Sequence, residues 1–115
     1  MISKDLLDQL LNFRRERDWE QFHNLRTLST SIVLESAELA EITQWVRDSD
    51  LEAVTDEKRG RIEEEVADIA ILLTYLIHDE QIDLEAAVRR KIELNGTKYP
   101  VHRSKGSARK YDELD

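Results

Sequence analysis

The residues of this chain best suited to chemistry are four acids, Glu35, Glu38, Glu65 and Asp68. They form Glu-x-x-Glu and Glu-x-x-Asp pairs separated by a spacer of 26 residues. On a helix, residues three apart share a face, so each pair presents two carboxylates on one side. Acids are common here, 25 of 115 residues, so the bare pattern describes a solvated helix face equally well. Position favours a site. The stripe Leu25, Leu28, Ile32, Glu35, Leu39, Ile42, Val46 is apolar except at its centre. The stripe Ile62, Glu65, Ile69, Leu72, Leu76 is also apolar except at one place. Asp68 and Thr74 alone interrupt an otherwise hydrophobic run from Val66 to Ile77. Carboxylates in apolar seams are paired, protonated or bound to metal, because an unpaired buried charge costs several kcal/mol. No Lys or Arg lies on either stripe. An all-oxygen set without Cys or His suits a hard ion, Mg²⁺ with Mn²⁺ as a substitute, rather than zinc.

These pairs require two long helices side by side. Apolar residues recur at three and four, and no run alternates as a strand would. The periodicity predicts four helices, over residues 4–17, 25–46, 57–78 and 84–94. Asp83 serves as an N-cap for the last, and Asn95-Gly96 as its stop. Residues 18–24 read as a linker. Residues 49–55 read as a connector with room for one helical turn, Ser49 and Glu52 making a capping-box pattern. A short connector makes its flanking helices antiparallel neighbours. A fold-back between Leu51 and Glu52 then sets Glu35 level with Asp68, and Glu38 level with Glu65. Four like charges this close cannot all stay ionised without a cation. A di-iron bundle would need Glu-x-x-His on two helices, and the chain offers one such pattern, Glu20 to His23, in the linker.

At 115 residues the chain is expected to form one domain, with a modest core that oligomerisation would complete. The longest aliphatic run, Ile69 to Leu73, is far short of the roughly 20 residues a membrane span needs. No secretory signal is read at the N-terminus, and cysteine is absent, which fits a cytoplasmic protein. The net charge of −8 is uneven. From Arg89 to Lys110 eight Lys or Arg face one acid, leaving −15 on the remainder. After Gly96 the chain reads as an irregular basic segment, 97–115, suited to an anion such as phosphate.

Together the motifs resemble the all-α nucleoside triphosphate pyrophosphohydrolases of the MazG-like superfamily, and within it the small dCTP pyrophosphatases. The resemblance runs through Glu16-Arg-Asp-Trp-Glu-Gln-Phe-His23, the stretch Glu35 to Trp45, Glu64 to Asp68, Lys98-Tyr-Pro-Val-His102, and Gly106 to Tyr111. It implies a four-helix bundle completed as a dimer or tetramer. It implies that Glu35, Glu38, Glu65 and Asp68 hold Mg²⁺ while water releases pyrophosphate from a nucleoside triphosphate. Glu41, three residues beyond Glu38, is a candidate base to orient that water. By the same similarity Trp19, Glu20, Gln21, Phe22, His23 and Trp45 line the base and sugar pocket. Lys91, Asn95, Lys98 and Tyr99 lie near the phosphates. A pyrimidine deoxynucleotide, dCTP or a 5-modified dCTP, is the expected substrate. Leu10 and Leu72 depart from the polar or aromatic pocket residues expected of the animal enzymes, so dATP or dTTP would also be accepted.

Two other classes compete with this reading. A nucleic-acid-binding module using the basic segment is opposed by the −15 body, which repels a phosphate backbone. A non-catalytic helical oligomer could use buried acids to set its register, but four acids exceed that need.

Overall fold

The computed structural model describes residues 1–114, and among them the chain is all-helical, with no strand. The helices are α1 (Lys4–Glu16), α2 (Leu25–Glu41), α3 (Leu51–Glu57), α4 (Arg59–Asp79), α5 (Leu84–Lys98) and α6 (Val101–Ser104). Single 3₁₀ turns occur at Glu20–Phe22, Asp48–Asp50 and Tyr111–Glu113. The helices group into two compact units, Met1–Gln81 and a second from Ile82 onward. None of them is long and apolar enough to cross a membrane.

In the first unit α2 and α4 form the expected hairpin, running along each other, with α1 and α3 against α4. Side chains in this pair do the burying: Leu28 on α2 is 1% exposed and Tyr75 on α4 is 4% exposed. They are the only buried hydrophobic side chains among the described residues. Polar links then fix α1. The guanidinium of Arg14, itself buried, donates to both carboxylate oxygens of Asp79 at the end of α4, at 2.9 Å to Oδ2. The Tyr75 hydroxyl donates to the Leu10 carbonyl at 2.8 Å, and the Arg14 guanidinium stacks 4.6 Å from the Tyr75 ring centre.

Several boundaries differ from the sequence expectation, each for a local reason. The second helix stops at Glu41 rather than Val46 and passes into turns over 42–45. The connector is more helical than one turn: a 3₁₀ turn and the seven-residue α3 fill it, so α4 begins at Arg59. Ser49 and Glu52 form no capping box, since α3 starts after Asp50 without a side-chain cap. Asp83 caps α5 as expected, accepting from the Ala86 N–H at 3.0 Å. Asn95 and Gly96, however, do not stop that helix, which continues to Lys98. Gly96 is tolerated inside at a cost of about 1 kcal/mol. The stop comes instead from Pro100, which forces Tyr99 out of helical geometry. The segment from 97 is correspondingly less irregular than expected, with α6 and a 3₁₀ turn within it.

Candidate active site

The linker between α1 and α2 builds one wall of the site. Asp18 adopts a left-handed conformation, φ 54°, which reverses the chain after α1; Asp tolerates this better than most residues. The Trp19 N–H then returns to the Arg14 carbonyl at 2.9 Å. At the other end Asn24 and Thr27 form a reciprocal capping box, each side chain accepting the other's backbone N–H at 3.0 Å. The Thr27 hydroxyl also donates to the Phe22 carbonyl at 2.7 Å. His23 is thus held rigidly against the start of α2.

A cavity of about 410 Å³ opens here, lined by Leu10, Phe13, Trp19, His23, Glu35, Asp68, Ile71, Leu72 and Tyr75. Trp19 meets Phe13 edge to face at 5.7 Å, and His23 leans on Tyr75 at 5.2 Å. Leu10 and Leu72, the two departures noted in the sequence, both face this space. Its walls are apolar and aromatic, with a carboxylate end.

That end is a cluster. Carboxylate oxygens of Glu35, Glu38 and Glu65 all lie within 4.8 Å of one another. Asp68 stands outside this set but shares the cavity with Glu35, and its charge acts on Glu35 and Glu65. Oε2 of Glu35 and Oε2 of Glu65 are shielded from solvent and have no hydrogen-bond partner. The Glu35 carboxyl is pushed up to about 7, by burial first, then by Glu65 and Glu38 beside it and the charge of Asp68. Burial also pushes Glu65 up, with the charges of Glu38 and Asp68 adding to the effect and the neighbouring Glu35 carboxyl opposing it. The cluster therefore retains a proton near neutrality unless a cation takes its place. Orphaned oxygens, close spacing and an oxygen-only donor set all fit a hard divalent ion.

Beneath the aromatic wall lies a polar group that sequence reasoning missed. Arg14 holds Asp79 well below the usual carboxylate range, and their hydrogen bond in turn raises the Arg14 guanidinium. Arg14 also reaches Nδ1 of His23 at 3.1 Å. Burial, then the nearby Arg14 charge, push the His23 imidazole down, favouring its neutral form. Arg14 and Asp79 are 65 residues apart, and no local spacing signals their pairing.

Of the expected pocket residues, Trp19 and His23 face the cavity and the others do not. Glu20 is exposed, 3.9 Å from Arg15. Gln21 bonds back to Asp18, and Phe22 is 62% exposed. Trp45, 87% exposed in the turns after α2, is away from this cavity. Glu41 is exposed at the end of α2, outside the cluster. In the second unit Lys91 and Asn95 are exposed on α5. Lys98 lies 4.8 Å over the Tyr111 ring, which meets Tyr99 edge to face at 6.2 Å. The same unit has a basic recess of about 720 Å³ lined by His102, Arg103, Ser107, Arg109 and Leu114.

The sequence and the fold are both similar to those of known proteins. Residues 30–114 match the model of the MazG-like family. Over 104 residues, 89% of this chain, the sequence is 44% identical to the dCTP pyrophosphatase 1 of Bos taurus and 40% identical to that of Homo sapiens. Those stretches are 62% and 61% of the relatives, so the chain spans about three-fifths of their length. Among solved structures, a pyrophosphatase from Archaeoglobus fulgidus is similar at a TM-score of 0.79 and 45% identity, over 84% of this chain and 91% of that one.

Proposed function

The chain belongs to the MazG-like family, and from that premise we propose that it hydrolyses nucleoside triphosphates to monophosphate and pyrophosphate, with dCTP or a 5-modified dCTP preferred. The observation that carries this reading is the double role of Glu35, which is at once a member of the carboxylate cluster and a wall of the aromatic cavity. A nucleotide needs such a junction, a flat apolar slot for its base beside a site that handles its phosphates.

Glu35, Glu38 and Glu65, with Asp68 alongside, would hold Mg²⁺, with Mn²⁺ as a substitute. When bound, the ion neutralises the carboxylates, polarises phosphoryl oxygens and lowers the pKa of water. Trp19 and Phe13 supply faces for the base. Water adds at phosphorus beside the α,β-bridge, the bond to the bridging oxygen breaks, and monophosphate, pyrophosphate and a proton leave. The site's task is mostly positioning and charge neutralisation. Glu41 is the proposed base that orients the water. Lys91, Asn95, Lys98 and Tyr99, which the resemblance gives to the phosphates, lie on the positively charged second unit.

We also propose self-association to a dimer or tetramer. Within the first unit Leu6, Leu25, Val33, Leu34 and Val66 are each more than two-fifths exposed, apolar side chains that a lone chain leaves wet. We propose for it a cytoplasmic role in cleaning the nucleotide pool. The test is kcat/KM for the eight common nucleotides with Mg²⁺, with pyrophosphate identified as product. The expected order is dCTP ahead of purines and ribonucleotides. A clear preference for a ribonucleotide or dGTP overturns the dCTP assignment, and absence of pyrophosphate overturns the reaction.

A further inference from the structure

An imidazole ring in a binding cavity offers either a donor or an acceptor, depending on which nitrogen holds the proton. Here the choice is made by the residues behind it. Nδ1 of His23 lies 3.1 Å from Nη1 of Arg14. A guanidinium has donors and no acceptor, so Nδ1 must accept. Arg14 is not free to turn away: its fork is committed to both oxygens of Asp79, and its side chain is only 7% exposed. Tyr75 packs on the His23 ring and under the Arg14 guanidinium, holding both planes. A ring flip would put carbon against Nη1 and lose the bond. The remaining nitrogen, Nε2, has no hydrogen-bond partner among the described residues and is not sealed from solvent, while its ring lines the cavity.

We propose that Asp79 and Arg14 are positioning residues that fix His23 as the Nε2–H tautomer, so that the cavity presents a hydrogen-bond donor to a base edge bearing an acceptor. The inference rests on the reading that this cavity takes a nucleobase. The lowered proton affinity of His23 is consistent with it, because a neutral ring presents one nitrogen of each kind. The occupant it fits is a base with a ring nitrogen or carbonyl oxygen at that edge. A pyrimidine such as cytosine carries both side by side. A base with only hydrogen or an amino group there would leave the donor unpaired, which such sites reject strongly.

The arrangement can be read directly in the nucleotide-free protein. Nitrogen-15 NMR of histidine-labelled protein at neutral pH is expected to show a pyridine-type Nδ1 and a pyrrole-type Nε2 for His23. A ring protonated on Nδ1, or doubly protonated, overturns the proposal. Kinetics give the second arm. In His23→Gln the amide nitrogen falls near the place of Nε2 and can still donate into the cavity. In His23→Asn the amide falls near Nδ1 and faces Arg14 instead. With dCTP, the Asn variant is expected to lose on the order of 10-fold or more in kcat/KM, mainly through KM, and the Gln variant to recover most of it. Equal losses in the two overturn the assignment. Arg14→Lys keeps the charge but cannot serve Asp79 as a fork and His23 together; it is expected to mix the tautomers and raise KM. If that variant fails to fold, the wild-type spectrum still decides. If dCTP is not cleaved while Nε2 holds the proton, the reaction proposed above falls and the donor stands. If dCTP is cleaved and Nδ1 holds the proton, the donor falls.

Discussion

Cation binding at the carboxylate cluster should expel a proton, and the amount can be worked out. Burial first, and then Glu65, Glu38 and Asp68 beside it, push the Glu35 carboxyl up to about 7. A divalent ion takes the deprotonated form, so binding releases whatever proton the cluster holds. With that proton held at about 7, Mg²⁺ binding should release about 0.9 proton at pH 6, about 0.5 at pH 7 and about 0.1 at pH 8. Titration calorimetry in buffers of different ionisation enthalpy reads these values as a slope. Below pH 7 the affinity should fall by about tenfold per pH unit. The metal-free protein should show the mirror effect. The usual value for the carboxyl is 4.5, so as pH rises from there to about 7 the unfolded chain gives up a proton that the folded chain keeps. Stability of the metal-free form should therefore fall across that window, and saturating Mg²⁺ should remove the fall. In Glu35→Gln the pH dependence of release should largely vanish. A slope of zero at pH 6, or the same slope at pH 6 and pH 8, refutes the account of the cluster.

Three further outcomes follow from other contacts. Glu65→Gln should cut turnover by about 100-fold or more, since loss of even a supporting ligand contact costs 10- to 100-fold, while raising the melting temperature of the metal-free protein by relieving like-charge crowding; wild-type turnover would count against the mechanism. Asp79→Ala leaves the buried Arg14 charge uncompensated and should cost about 3 kcal/mol in urea unfolding. Because Arg14 holds Asp79 below its usual 3.8, the pair's contribution should be complete above that pH and lost as pH falls through the lower folded value. Sedimentation should find a dimer or larger, and Val66→Glu, on an exposed face of α4, should shift the distribution toward smaller species; a wild-type monomer at micromolar concentration would refute self-association.

The parts legible in the sequence were those with a period. Interrupted apolar stripes marked Glu35 and Glu65, and the length of the connector was enough to bring Glu38 and Glu65 together across the hairpin. The parts that escaped are those settled by distant or competing partners. Arg14 reads as an ordinary cation near a helix C-terminus, and its burial depends on Asp79, 65 residues away. The cap of α2 was missed because Thr27, not Glu or Gln, closes the box with Asn24. The Asn95-Gly96 signal is genuine locally, but helical hydrogen bonding carried past it until Pro100 intervened. Trp45 rests on the resemblance alone, and the turns after Glu41 leave its ring exposed.

The attachment of α1 bears on the order in which this unit comes apart. The Arg14–Asp79 pair and the Tyr75–Leu10 bond each close a loop of 65 residues, whereas α2 and α4 face each other across a short connector. Closing the longer loop costs more chain entropy, and Leu6 and Phe13 on α1 are more than two-fifths exposed and add little apolar hold. α1 should therefore detach as a cooperative segment while the hairpin persists, giving its amides faster native-state hydrogen exchange than those around Leu28. Each such opening removes Leu10 and Phe13 from the cavity wall and releases the ring of His23. A base analogue in the slot would then slow exchange in α1, so the helix farthest in sequence from the carboxylates of α4 would report on occupancy without any turnover.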